Sequence, residues 1–160
     1  MEKILSGTLA IDLGNTNTVV VFQDQKGTNS ILVEIPNITL SPGVIPTAVW
    51  FEESSKTMKI GISALKMKEN INSDLFLHTN FKRLIGNPIE KINQKNILKP
   101  IECGEKFFKF LMANIPKKYE IKRLILTAPI DTYKGYREWL VNLCQGISVD
   151  EIALVDEPTA

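Results

Sequence analysis

The segment Asp12-Leu13-Gly14-Asn15-Thr16-Asn17-Thr18 places a carboxylate at the end of an apolar run and follows it with a glycine, two amides and two hydroxyls. Gly14 and the asparagines tolerate left-handed dihedrals, so successive backbone N–H groups can converge into a nest for phosphate oxygens, with Thr16 and Thr18 adding donors. A lone carboxylate beside phosphates is useful chiefly across a divalent cation, reached directly or through water, and Asp12 suits that role. The pattern is not a P-loop, and an ordinary Asn-rich hairpin turn is the plainer alternative. In Phe81-Lys82-Arg83-Leu84-Ile85-Gly86, two cations sit in apolar surroundings. A lysine held there can reach a terminal phosphate as a point charge, whereas the plainer alternative is a solvated basic pair. Val155-Asp156-Glu157-Pro158-Thr159 ends an apolar run in carboxylates. At the carboxyl edge of an α/β sheet that is where ligands bind, and Glu157 could orient an attacking water there; acidic residues opening a helix are equally ordinary.

The 160 residues are enough for one domain, or a domain with a small insertion, and 44% hydrophobic with 23% charged residues is the mixture of a globular chain. Nineteen basic against eighteen acidic residues leave a net charge of +1, which gives no electrostatic argument for nucleic acid or an anionic membrane. Cys103 and Cys144 lie far apart and His78 is the sole histidine, so a Cys/His zinc site is not expected, and two reduced, partly buried thiols are. The first residues carry no sustained apolar run and no stretch of about 18 apolar residues occurs. Neither a secretion signal nor a membrane span is expected, and the expected location is cytoplasmic.

The runs Thr8–Leu13 and Thr18–Gln23 around the polar turn predict an antiparallel hairpin, and Ser30–Ile35 a third strand. These runs are apolar almost throughout, which predicts burial on both sheet faces. Pro36, Pro42, Gly43 and Pro46 mark an exit from the sheet. Beyond it, Thr47–Phe51 and Thr57–Ile60 predict a second hairpin, and Ser63–Asn70 a short helix with Leu65 facing inward. From Glu69 to Lys99 the Asn- and Lys-rich sequence has no clear period. Phe107, Phe108, Leu111, Met112 and Ile115 recur at helical spacing and predict a helix over 104–115 whose aromatic stripe is core. Arg123–Ala128, Thr132–Gln145 closed by Gly146, and Ile152–Val155 read as a parallel βαβ unit. The ending Asp156-Glu157-Pro158-Thr159-Ala160 resembles the start of a further helix, so a truncated domain is expected.

Taken together, the segments resemble the nucleotide-binding domain of the seventy-kilodalton heat-shock chaperones, the DnaK-type family of the actin-like and sugar-kinase ATPase superfamily. Ile11–Thr18 is similar to the family's Ile-Asp-Leu-Gly-Thr-Thr-Asn-Ser, and Ile45-Pro46-Thr47 with Ile60-Gly61 to its Thr-Pro-Ser and Val-Gly landmarks. Lys82-Arg83-Leu84-Ile85-Gly86 matches Lys-Arg-Leu-Ile-Gly, Thr127-Ala128-Pro129 resembles Thr-Val-Pro, and Asp156–Ala160 resembles Asn-Glu-Pro-Thr-Ala. The resemblance implies an α/β fold, lobe I of an actin-like (ribonuclease H-like) ATPase: a mixed sheet with flanking helices and an inserted smaller α/β subdomain. The base subdomain would comprise residues 1–42 and 119–160, and the inserted upper subdomain 43–118. It implies ATP or ADP with Mg²⁺ as ligands. Asp12 would order the metal's water shell, Gly14, Asn15, Thr16 and Asn17 would cradle the β- and γ-phosphates, Lys82 would stabilise the transferring phosphoryl group and Glu157 would position water. Pro129 and Arg137 fall where the family relays between nucleotide and substrate domains.

The implied activity is ATP hydrolysis by a full-length chaperone acting on unfolded clients with co-chaperones, without nucleic-acid or membrane partners. The family's second phosphate loop and adenosine motif match no segment here, so these 160 residues alone are expected to be inactive and able to self-associate through an exposed cleft face. Four departures bear on function: Asn15 where the family has Thr, Asp156 where it has Asn, Ile130–Gly135 in place of its aromatic pair and Asn-Asp, and Ala153-Leu154 where basic residues are common. They motivate an alternative, a divergent regulatory or scaffold protein that binds nucleotide without efficient hydrolysis.

Overall fold

The computed structural model describes residues 3–27, 29–69, 73–86, 98–129 and 134–157. Its strands and helices in chain order are β1 (Leu5–Leu13), β2 (Asn17–Asp24), β3 (Ser30–Leu32), β4 (Val44–Pro46), β5 (Ala48–Glu52), β6 (Thr57–Ile60), α1 (Gly61–Lys66), α2 (Ser73–Phe76), β7 (Leu77–Thr79), α3 (Pro100–Asn114), β8 (Tyr119–Ala128), α4 (Lys134–Cys144) and β9 (Glu151–Asp156). The fold is mixed α/β with two sheets. The larger has the order β3-β2-β1-β8-β9, with β4 also pairing to β2; the smaller is antiparallel, β6-β5-β7. β1 and β2 form the expected antiparallel hairpin, while β1, β8 and β9 run parallel.

The near-continuous apolar runs do not bury both faces, contrary to the sequence expectation. Leu9, Ile11 and Leu13 of β1, Val20 and Phe22 of β2, and Leu124, Leu126 and Ala128 of β8 are buried on one face. They join Phe107, Phe108 and Leu111 of α3 and Tyr136, Trp139 and Leu140 of α4 in one core. The other face is half-buried at Val21, Ala10, Ile125 and Ala153, which the strand register aligns in one row, and exposed at Leu32 in the same row. A run of Val, Ala and Ile therefore satisfied the sequence criterion while only alternate residues reach the core.

β3 is shorter than expected, ending at Leu32: Val33 still gives its N–H to Val20 O at 3.1 Å in the same register, but the Val20 N–H goes to Gly43 O at 2.8 Å, so the pairing passes to the chain ahead of β4. α3 starts four residues earlier than its apolar period suggests. Pro100 occupies the first turn, and the Glu102 carboxylate accepts the Lys99 N–H at 2.7 Å, so this end is set by capping and not by the aromatic stripe. The second hairpin, β5–β6, forms as expected, and Leu65 packs partly against Ala48, Trp50 and Ala64. α4 ends without a left-handed glycine. The Gln145 and Ile147 N–H groups bond back to Asn142 O and Cys144 O, and Gly146 has no positive φ. The expected starts of the helices at Thr132 and after Glu157, residues 70–72 and 87–97 of the unassigned stretch 69–99, and the divergent residues 130–133 lie outside the described residues. Cys103 and Cys144 are free and buried, as expected, and burial pushes the Cys103 thiol up to about 12.

β7 carries His78 opposite Val49, 3% exposed, with neither ring nitrogen hydrogen-bonded among the described residues. Burial lowers its pKa from the ordinary 6.5, so the folded ring takes up a proton only at lower pH than the unfolded chain does. The unfolded chain takes up a proton as pH falls through 6.5 and the folded chain does not. The stability this residue allows is therefore full above 6.5 and falls with acidification by about 1.4 kcal/mol per pH unit until the lowered folded pKa is passed. The urea midpoint of His78→Leu should fall less than that of wild type between pH 7.5 and 5.5. Equal shifts would remove His78 from the acid response.

Candidate functional site

Three parallel strands end together. β1 delivers Asp12, β8 delivers Thr127 and Ala128, and β9 delivers Asp156 and then Glu157, whose N–H bonds Ala128 O at 2.8 Å. This is the carboxyl edge of the sheet, where α/β folds place ligands. Asp12 is exposed and its Oδ1 accepts the Thr127 hydroxyl at 2.6 Å. Thr127 was visible in the sequence only as part of a landmark tripeptide.

Lys82 reaches the same edge from the segment that follows β7. It lies in a 3₁₀ turn, Lys82–Leu84, between Asn80 (φ 56°) and Gly86 (φ 76°). Its side chain is buried and Nζ donates to Glu157 Oε1 at 2.7 Å, across 75 positions of sequence, while Arg83 is exposed. The solvated-pair alternative therefore holds for Arg83 and not for Lys82. Gly86 is required by space as well as by φ: a Cβ there would lie 2.6 Å from Tyr136 N and 2.7 Å from Gly135 C. The loop end thus rests directly on the backbone that opens α4.

The turn after Asp12 is not built as a nest. None of Gly14, Asn15, Thr16 and Asn17 has a positive φ, so the left-handed alternation that makes a nest is missing. Gly14 is needed for proximity instead, since a Cβ would lie 2.1 Å from Asn17 O. Thr47 clamps the turn. Its N–H bonds Thr16 O at 2.8 Å and its hydroxyl donates to Gly14 O at 2.8 Å, leaving that hydroxyl's oxygen to accept from Thr18 at 2.8 Å. The Asn15 amide donates through Nδ2 to Asn80 Oδ1 at 3.2 Å, tying the turn to the segment that carries Lys82, and its own Oδ1 is buried without a partner among the described residues. Beside this bridge a cavity of about 170 Å³ is lined by Asn15, Asn17, Thr79 and Asn80 with apolar Leu40 and Leu65.

No family model matches this sequence, and no curated protein matches it.

Asp12, Asn15, Lys82 and Glu157 therefore lie around one edge, and Arg137 lies beside it on α4, paired with the Asp156 carboxylate. That pairing offsets the charge that Asp156 brings. Pro129 follows directly on β8. Tyr136, Asn80 and Thr47 are the residues that sequence reading left out of the site. Tyr136 is buried, and burial together with the charges of Glu157 and Asp12 holds its hydroxyl far above the ordinary range. Among the described residues no group of three or more His, Cys, Asp or Glu could hold a metal ion directly. A single exposed carboxylate, Asp12, fits a cation met through its water shell. Among the described residues no helix is long and apolar enough to cross a membrane.

Proposed function

We propose that the chain is lobe I of an actin-like, ribonuclease H-like ATPase domain from a heat-shock-type molecular chaperone, acting in the cytoplasm. In this reading the full-length protein binds ATP or ADP with Mg²⁺ and hydrolyses ATP to drive cycles of client folding with co-chaperones. The observation that carries the proposal is the Lys82–Glu157 contact at 2.7 Å. It brings the most distinctive motif of the inserted segment onto the carboxyl edge that also holds Asp12. The strand order, an antiparallel three-strand meander continued by two parallel strands, supports the same reading.

The chemistry is phosphoryl transfer to water, in which alignment and charge do most of the work. Glu157 holds the attacking water at the sheet edge. The Lys82 ammonium has three donors; one meets Glu157, and the other two serve oxygens on which negative charge grows. Asp12 would hold Mg²⁺ through the ion's water shell, and the ion when bound would supply positive charge to phosphate oxygens. Donors from the Gly14–Asn17 turn orient the phosphate chain, with Asn15 held aside by Asn80.

That last feature favours a second reading, a regulatory or scaffold protein that binds nucleotide without efficient turnover, because the Asn15 side chain is engaged elsewhere and the nest is absent. Single-turnover hydrolysis of Mg-ATP by the full-length protein separates the two. Conversion of bound ATP to ADP is expected from the first; ATP bound and recovered intact would establish the second.

A further inference from the structure

The Lys82 ammonium lies over the Tyr136 ring, with Nζ 5.7 Å from its centroid. The side chain is 1% exposed, and its hydroxyl has no hydrogen-bond partner among the described residues. A buried hydroxyl left unpaired costs stability, so the polar end of this residue does not account for its place. The ring does have fixed neighbours. Trp139 stands against it at 5.3 Å between centroids, and the Gly86–Gly135 backbone contact pins the first turn of α4, on which Tyr136 sits. A ring so held presents a fixed negative face, and an ammonium within about 6 Å of a centroid is attracted to it, more strongly where water is excluded.

We propose that Tyr136 is a positioning residue for Lys82, its ring face holding the ammonium in place beside Glu157 so that the remaining donors are presented to a phosphate. The inference rests on the reading of Lys82 as the phosphate-facing cation. It also explains how a flexible four-carbon side chain is kept in one geometry by a single carboxylate that remains partly in water.

The test replaces Tyr136 in the full-length protein by Phe, by 3,4,5-trifluorophenylalanine and by Leu. The trifluoro ring keeps nearly the same shape while drawing electron density from its face. The first readout needs no nucleotide: the rate at which a small amine-reactive ester acylates Lys82, followed by mass spectrometry. Tyr136→Phe should label like wild type, and the trifluoro and Leu variants faster by about 2- to 30-fold. The second is ATP hydrolysis, where the trifluoro variant should lower kcat with KM unchanged and Tyr136→Phe should restore it. Equal labelling of the Phe and trifluoro variants would overturn the proposal, since the ring would then act by packing alone. If labelling follows ring electron density while wild type hydrolyses no ATP, the positioning role stands and the hydrolysis reading falls.

Discussion

Lys82→Ala should lower single-turnover ATP hydrolysis by the full-length protein by about 100- to 1000-fold, the usual loss when one fixed donor to developing charge is removed from a phosphoryl- or acyl-transfer site. The loss should fall on kcat more than on KM, because the charge that Lys82 meets grows toward the transition state. Folding should suffer much less. Removing one partner of a fully buried pair costs about 3–5 kcal/mol, but the Glu157 side chain is 29% exposed, so its carboxylate can rehydrate and the cost should be smaller. The measurement is a quenched single-turnover assay paired with a thermal melt of the same variant. Unchanged hydrolysis would take Lys82 out of the mechanism, and a collapsed melt would make its role structural.

Gly86→Ala should be strongly destabilising. The residue sits at φ 76°, where an L side chain is strained by about 1–2 kcal/mol, and the new Cβ would lie 2.6 Å from Tyr136 N and 2.7 Å from Gly135 C. Both neighbours are backbone, so neither can rotate away. The combined loss should exceed about 3 kcal/mol, a large share of the about 5–15 kcal/mol that holds a domain together. Gly146→Ala is the matched control. Nothing lies within 4 Å of its added Cβ and its φ is not positive, so its urea midpoint should stay close to wild type. Comparable midpoints for the two variants would mean that the loop-to-helix contact does not hold the site in place.

Strand–turn–strand at Asp12 and the parallel unit at the far end of the chain were legible because each run is short, apolar and bounded by polar turns. Lys82 and Glu157 were legible as types in a pattern; their meeting was not, because 75 positions separate them and no local period joins them. Tyr136 escaped notice for a different reason. It belongs to an amphipathic helix whose apolar positions all read as core, and a ring that packs and a ring that also faces a cation leave the same trace in sequence. Thr47 and Asn80 act through hydrogen bonds to residues far away in sequence, and no spacing rule exposes those. Gly14 was noticed for its dihedral freedom, whereas the structure uses its lack of a side chain.

The row Leu32, Val21, Ala10, Ile125 and Ala153 crosses five strands on the face opposite the core that holds α3 and α4. Apolar area already wet in the native state adds nothing to the heat-capacity increase on melting, which comes from newly hydrated surface. A sheet of this kind carries a flatter dome of stability against temperature than one sealed on both sides, so its folded population changes more gently with cooling as well as with heating.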